Sequence, residues 1–179
     1  MIGVCQRFGA FNLVVNTDRI DRLSAIDQGF NLANSPEQRF GILAYDDFNI
    51  FHICIGAGIN PFEKLSAAAL QKYSGTAQDW HTRALLVSDD HNVLNRALAE
   101  GDIDFYISGG AYTVAHARLA GHRKLQAITP ARGSINGLGG IVFAEITSVL
   151  QRATSPESAL DFLEYIVQPD ISYLSLIHI

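Results

Sequence analysis

Apolar and polar positions alternate between two periods along this chain, and the alternation predicts a strand-and-helix protein. Residues 11–15 are apolar and β-rich and end in Asn16-Thr17-Asp18, which reads as a strand and a turn. Residues 21–37 are polar and mixed, with Asn34-Ser35-Pro36 as a breaker, and read as a short helix and a linker. Residues 40–45 (FGILAY) form the next strand. Asp46 or Asp47 can cap the helix after it, residues 48–57, which is apolar nearly all round and so expected to be buried. Residues 61–73 and 77–82 read as two further helices, and residues 83–87 as a strand.

The second half repeats the alternation. Ser88-Asp89-Asp90 opens a helix whose Val93, Leu94, Ala97 and Leu98 follow a 3-4 spacing, and Gly101 closes it as a left-handed cap. A strand follows at 103–107. Strand, helix and strand with short joins form a βαβ unit, hence parallel strands and a right-handed crossover. A helix at 111–119, a strand at 125–128, a glycine-rich loop at 133–140 and a β-like stretch from Ile141 come next. Pro156 begins a last helix with Leu160, Leu163, Ile166 and Val167 on its core face. The fold class is therefore α/β. The final residues, 173–179 (YLSLIHI), fit no preceding pattern and resemble translated adapter sequence; the plainer reading is a frayed strand.

Composition narrows the function. The 179 residues are 48% hydrophobic and 17% charged, which suits a packed core. The net charge of −5, without a basic run, argues against a nucleic-acid partner. The longest apolar segment, 50–59, is short of a membrane span and carries His52. No signal peptide is legible at the start. The two cysteines, Cys5 and Cys54, give no disulfide framework, and Cys54 reads as a buried thiol. None of the six histidines forms a zinc motif, no nucleophile elbow is present, and no catalytic constellation emerges, so neither an enzyme nor a cofactor or metal is expected.

The strongest internal pattern is doubled. Tyr45-Asp46-Asp47-Phe48-Asn49-Ile50 and Ser88-Asp89-Asp90-His91-Asn92-Val93 share Asp-Asp-x-Asn-apolar, each where a strand hands over to a helix. Ligands of open α/β sheets bind outside the carboxyl ends of the strands, so two acidic turns there could hold a cation or metal; equally, the carboxylates could be solvated helix caps. A receiver-like Mg²⁺ site would need a third acidic strand end, where the chain offers Ser108. Ser108-Gly109-Gly110 precedes a helix, whose free N–H groups suit a carboxylate, or is simply a tight turn. The 133–140 loop ends in Gly-Gly before a strand, unlike a phosphate-binding loop, and reads as backbone that turns tightly or approaches a ligand.

From residue 40 to residue 170 the order of these features resembles the second lobe of periplasmic spermidine/putrescine-binding proteins. The resemblance lies in the strand ending at Asp46-Asp47 with its apolar helix, in Glu100-Gly101-Asp102-Ile103-Asp104, in Ser108-Gly109-Gly110-Ala111-Tyr112, in Gly139-Gly140-Ile141-Val142-Phe143-Ala144-Glu145, and in 158–163 running to Gln168-Pro169-Asp170. It implies a type II periplasmic-binding-protein lobe, with a parallel-dominated sheet flanked by helices. Residues 1–37 would be the end of a first lobe and the crossover, 38–146 a partial second lobe, 147–172 a return segment, and 173–179 a non-native tail. It implies a periplasmic, monomeric solute-binding component of an ABC importer, working with membrane permease subunits and holding a polyamine-like cationic or zwitterionic solute between lobes. Carried over residue by residue, Asp47, Phe143 and Glu145 match the family's ligand positions. Ile107, beside Tyr106, stands where the family has Trp, and Asn49 stands nearest its second acid. Tyr45, Asp46 and Ser108 complete the candidate set. Phe143 also suits a core aromatic and Glu145 a solvated strand residue. The effector-binding domain of a LysR-type transcription regulator is the alternative on the same fold.

Overall fold

The computed structural model describes residues 2–171 and resolves them into two units, residues 2–9 with 142–171 and residues 10–141. The expected tail at 173–179 lies outside the described residues.

The 10–141 unit is built on a mixed sheet of order β3-β2-β4-β1-β5. Its strands are β1 (Ile2–Asn16, contributing its second half), β2 (Phe40–Leu43), β3 (Leu86–Ser88), β4 (Phe105–Gly109) and β5 (Leu125–Ile128). β2 is parallel to both β3 and β4, while β1 runs against β4 and β5. The strands expected on either side of the βαβ helix are thus parallel, with β2 between them. All four residues of β2 are buried, as a strand covered on both faces must be.

Helices α4 (His91–Glu100) and α5 (Ala111–Leu119) cover one face, where Leu94, Leu98 and Val114 meet Val14, Leu43, Tyr106 and Leu125. The other face carries Phe40 stacked on Phe105 at 5.5 Å and, edge-on, Trp80. It is closed by α2 (Asp46–Gly56), α3 (Ala67–Arg83), and a 3-10 turn (Gly29–Asn34) that follows α1 (Arg22–Gln28). Trp80 donates to Asn34 Oδ1 at 2.7 Å, and Asn34 Nδ2 donates to the Gly56 carbonyl at 2.8 Å, so one polar chain ties these three elements.

Several boundaries differ from the sequence reading. The two helices expected at 61–73 and 77–82 are one, α3, which starts only at Ala67 because Ser66 caps it by accepting from the Ala69 N–H. Gly75 lies inside it without breaking it, and a β-carbon added there would meet no neighbour. Arg83 ends that helix instead of opening a strand. Its guanidinium donates to the Ala33 and Ser35 carbonyls and lies over the Phe40 ring. The 133–140 loop closes on itself as a two-residue hairpin: Ile135 and Leu138 exchange backbone bonds around Asn136 and Gly137, both at positive φ.

In the other unit, β6 (Ile141–Val149) pairs with β1, and Thr147 Oγ1 donates to Gln6 Oε1 at 3.0 Å. α6 (Pro156–Ile166) begins at proline as expected and buries Leu163 and Ile166, whereas Val167 follows the helix and is exposed. Among the described residues no helix is long and apolar enough to cross a membrane.

Candidate functional site

The parallel register brings three strand ends together. Leu43 pairs with Ser88, and Ile42 pairs with Ile107, so β3, β2 and β4 finish side by side. Each end turns into a helix: Ser88-Asp89-Asp90 into α4, Tyr45 into α2 and Gly110 into α5. Three helix starts, each with unsatisfied N–H groups, therefore share one edge with the acidic turns.

The doubled Asp-Asp-x-Asn motif resolves in two ways. In the second copy Asp90 is the N-cap: its Oδ1 accepts from the Asn92 N–H at 2.8 Å, and its own N–H donates to Ser88 Oγ at 3.1 Å. In the first copy the helix begins one step earlier. Tyr45 is the N-cap, its carbonyl accepts from the Phe48 and Asn49 N–H groups, and Asp46 and Asp47 are the first two helical residues. The expectation that one of them caps the helix is thereby corrected. Both carboxylates are exposed, and among the described residues neither has an ion-pair partner. The positive end of the α2 dipole stabilises them. Beside them Tyr45 meets Phe48 edge-on at 5.9 Å, and Phe48 packs on buried Phe11 at 4.1 Å. An exposed acid pair next to partly buried rings can hold an ammonium group by charge and by ring face.

Asn49 and Ser108 lie beneath this edge, both buried. Asn49 Nδ2 donates to the Leu43 carbonyl at 3.0 Å, and Ser108 Oγ donates to Asn49 Oδ1. The second contact of Ser108 is His52 Nδ1, at 2.7 Å. Both polar ends of Asn49 and the hydroxyl of Ser108 are engaged inside the protein. Ser108 adopts φ 67°, a left-handed conformation unusual for a residue with a side chain. That twist puts it on the α2 face although Tyr106, two residues earlier, points the other way. Tyr106 is fully buried against α4 and α5, its hydroxyl donating to Asn95 Oδ1 and lying 3.0 Å from Thr113 Oγ1. Burial raises its phenol above the ordinary range. The structure thus brings Tyr45, Asp46, Asp47, Asn49 and Ser108 together and leaves Tyr106 outside the group. Phe143 and Glu145 belong to the other unit, half-buried on alternate positions of β6, with the Phe143 ring against Gly9.

His52 is the residue that the sequence reading missed. It marked only an interruption in an apolar stretch, although Asn49 and His52, three apart, share a helix face. The ring is stacked on Phe30 and edge-on to Phe11, and its Nε2 has no hydrogen-bond partner among the described residues. Burial lowers its pKa to about 3. Among the described residues no group of three or more His, Cys, Asp or Glu is arranged to hold a metal ion.

No family model matches the sequence, and no curated protein matches it. Solved structures do. The spermidine/putrescine ABC transporter substrate-binding protein PotD from Streptococcus pneumoniae superposes at a TM-score of 0.65 and 10% identity, over 95% of this chain and 49% of that one. Iron-bound HitA from Pseudomonas aeruginosa gives 0.66 and 12%, over 96% and 52%. Trichodesmium FutA, in complex with iron and citrate, gives 0.65 and 19%, over 96% and 53%. The chain has a periplasmic-binding-protein-like fold. It spans about half the length of these binding proteins. Within this fold the acidic edge belongs wholly to the 10–141 unit.

Proposed function

We propose that this chain is part of the extracytoplasmic solute-binding component of an ABC importer, and that Asp46 and Asp47 receive the ammonium group of a small cationic or zwitterionic solute. The observation that carries the reading is the exposed carboxylate pair at the end of β2, unpaired among the described residues and flanked by Tyr45 and Phe48. A carboxylate supplies charge-assisted hydrogen bonds, and an aromatic face supplies attraction for the cation and cover for an alkyl chain. The role is binding without chemistry, with membrane permease subunits as partners.

Two supports come from outside the site. The sequence from 40 to 170 resembles polyamine-binding proteins, and the pneumococcal structure of like fold is an ABC transporter substrate-binding protein, which favours the importer over the effector-domain reading. Structures of this fold hold iron as well, so the choice of an organic cation rests on the pairing of acids with rings.

Titration calorimetry of the chain against putrescine, spermidine, amino acids and betaines tests the proposal. A cationic or zwitterionic solute binds, and Asp47→Ala weakens it about thirtyfold or more, the ~2 kcal/mol low end for losing one partner of a desolvated charge pair. Binding left unchanged by Asp47→Ala sinks the site assignment.

A further inference from the structure

The buried cluster under the acidic edge has a fixed direction of hydrogen bonding. The Leu43 carbonyl can only accept, so Asn49 presents Nδ2 to it and Oδ1 to Ser108. Oδ1 can only accept, so it takes the single hydroxyl proton of Ser108. Ser108 Oγ must then accept from His52, which puts the imidazole proton on Nδ1. The bare Nε2 is the atom left among Phe side chains, which agrees with its lack of a partner among the described residues. The chain of bonds thus runs from His52 through Ser108 and Asn49 to the Leu43 carbonyl, each donor in it having one direction open to it.

This relay holds a conformation that Ser108 would not otherwise keep. A left-handed backbone at a residue with a β-carbon costs roughly 1–2 kcal/mol. Two hydrogen bonds to the Ser108 side chain, both buried, offset that cost. Both partners sit on α2, within two turns of Asp46 and Asp47. Ser108 is in turn the residue from which Gly109 and Gly110 lead into α5. Through one hydroxyl, the end of β4 is fixed to the helix that carries the acid pair.

We infer that His52 is a positioning residue for the proposed solute site: acting through Ser108, it locks the Ser108-Gly110 turn to the first turn of α2. This rests on the proposed function only for its effect on binding, since the lock itself can be read without any ligand. His52 touches no solute. Its donor, and not its charge, is what the site uses.

Nitrogen-15 NMR of the full chain reads the lock directly. The expected His52 signal is the neutral Nδ1-protonated tautomer, unchanged between pH 7.5 and pH 5. An Nε2-protonated ring, or one that titrates in the ordinary histidine range, overturns the inference. Two variants then separate position from stability. His52→Asn keeps an N–H donor near the Nδ1 position and loses ring packing; His52→Leu keeps apolar bulk and loses the donor. The amide resonances of Asp46, Asp47, Gly109 and Gly110 are expected to stay near wild type in His52→Asn and to move together in His52→Leu, whichever variant melts lower. Resonances that follow the melting temperature, or that do not move in His52→Leu, contradict it. Putrescine affinity, where the wild type shows it, falls at least fivefold in His52→Leu and less than twofold in His52→Asn. A wild type that binds no solute counts against the proposed function, and the resonances still decide the lock.

Discussion

His52 lies stacked on Phe30, with ring centroids 4.5 Å apart and planes 24° from parallel. The contact fixes the ring where it cannot be solvated, and burial holds its pKa at about 3 against an ordinary 6.5. The consequence for stability has a definite sign. Below pH 6.5 the unfolded chain takes up a proton that the folded chain refuses until about pH 3. Stability is therefore complete above pH 6.5 and declines as pH falls, by about 1.4 kcal/mol per unit. Urea unfolding at pH 7.5 and pH 5 should show the wild type losing roughly 2 kcal/mol more than His52→Leu over that interval. Equal losses in the two proteins would remove His52 as the cause.

Tyr106→Phe is expected to act on stability alone. The hydroxyl donates to Asn95, and Asn95 Nδ2 donates to the Thr113 carbonyl, so the three residues join α4, β4 and α5 in a buried network. Removing the hydroxyl strands Asn95 Oδ1 and should cost about 1–3 kcal/mol in denaturant unfolding. Solute affinity, measured on the same protein, should not change, because the Tyr106 hydroxyl is buried and engaged by Asn95 and Thr113 and is not offered to a solute.

Gly56→Ala is expected to be costly although it looks conservative. A β-carbon at Gly56 would run into the six-membered ring of Trp80, and the ring cannot retreat because its Nε1 is held by Asn34. Overpacking of this kind typically costs about 1–3 kcal/mol. A thermal melt within a degree of wild type would show that α2 and α3 separate more easily than the Trp80–Asn34 bond suggests.

The parts of this structure legible in the sequence are those fixed locally. α5 and β5 match the expected 111–119 and 125–128, and α4 ends at Gly101, because periodicity and a left-handed cap are properties of a few adjacent residues. The acidic turn of α2 was legible for the same reason. What escaped depends on distant contacts. The first half of β1 carries no strong pattern of its own and is a strand because β6 pairs with it. Arg83 closes a helix, with its side chain held by Asp79 one turn back and by the Ala33 and Ser35 carbonyls, far away in sequence. Nothing in Ser108 itself announces a positive φ, and the two residues that its side chain meets, His52 and Asn49, lie on another element. The sequence reading placed Asn49 and Ser108 among the candidate residues at the strand ends, yet only the structure shows that the two are bonded to each other, with His52, inside the protein.

The most direct test of the account is a map of amide chemical-shift changes in the chain titrated with putrescine, spermidine and a betaine, repeated with Asp47→Ala. The account predicts that a cationic or zwitterionic solute moves Asp46, Asp47, Gly109 and Gly110 together, and that Asp47→Ala weakens the response about thirtyfold or more. Shifts that gather elsewhere, such as the groove lined by Arg22, Arg118 and Arg123, or an affinity unchanged by Asp47→Ala, would contradict it.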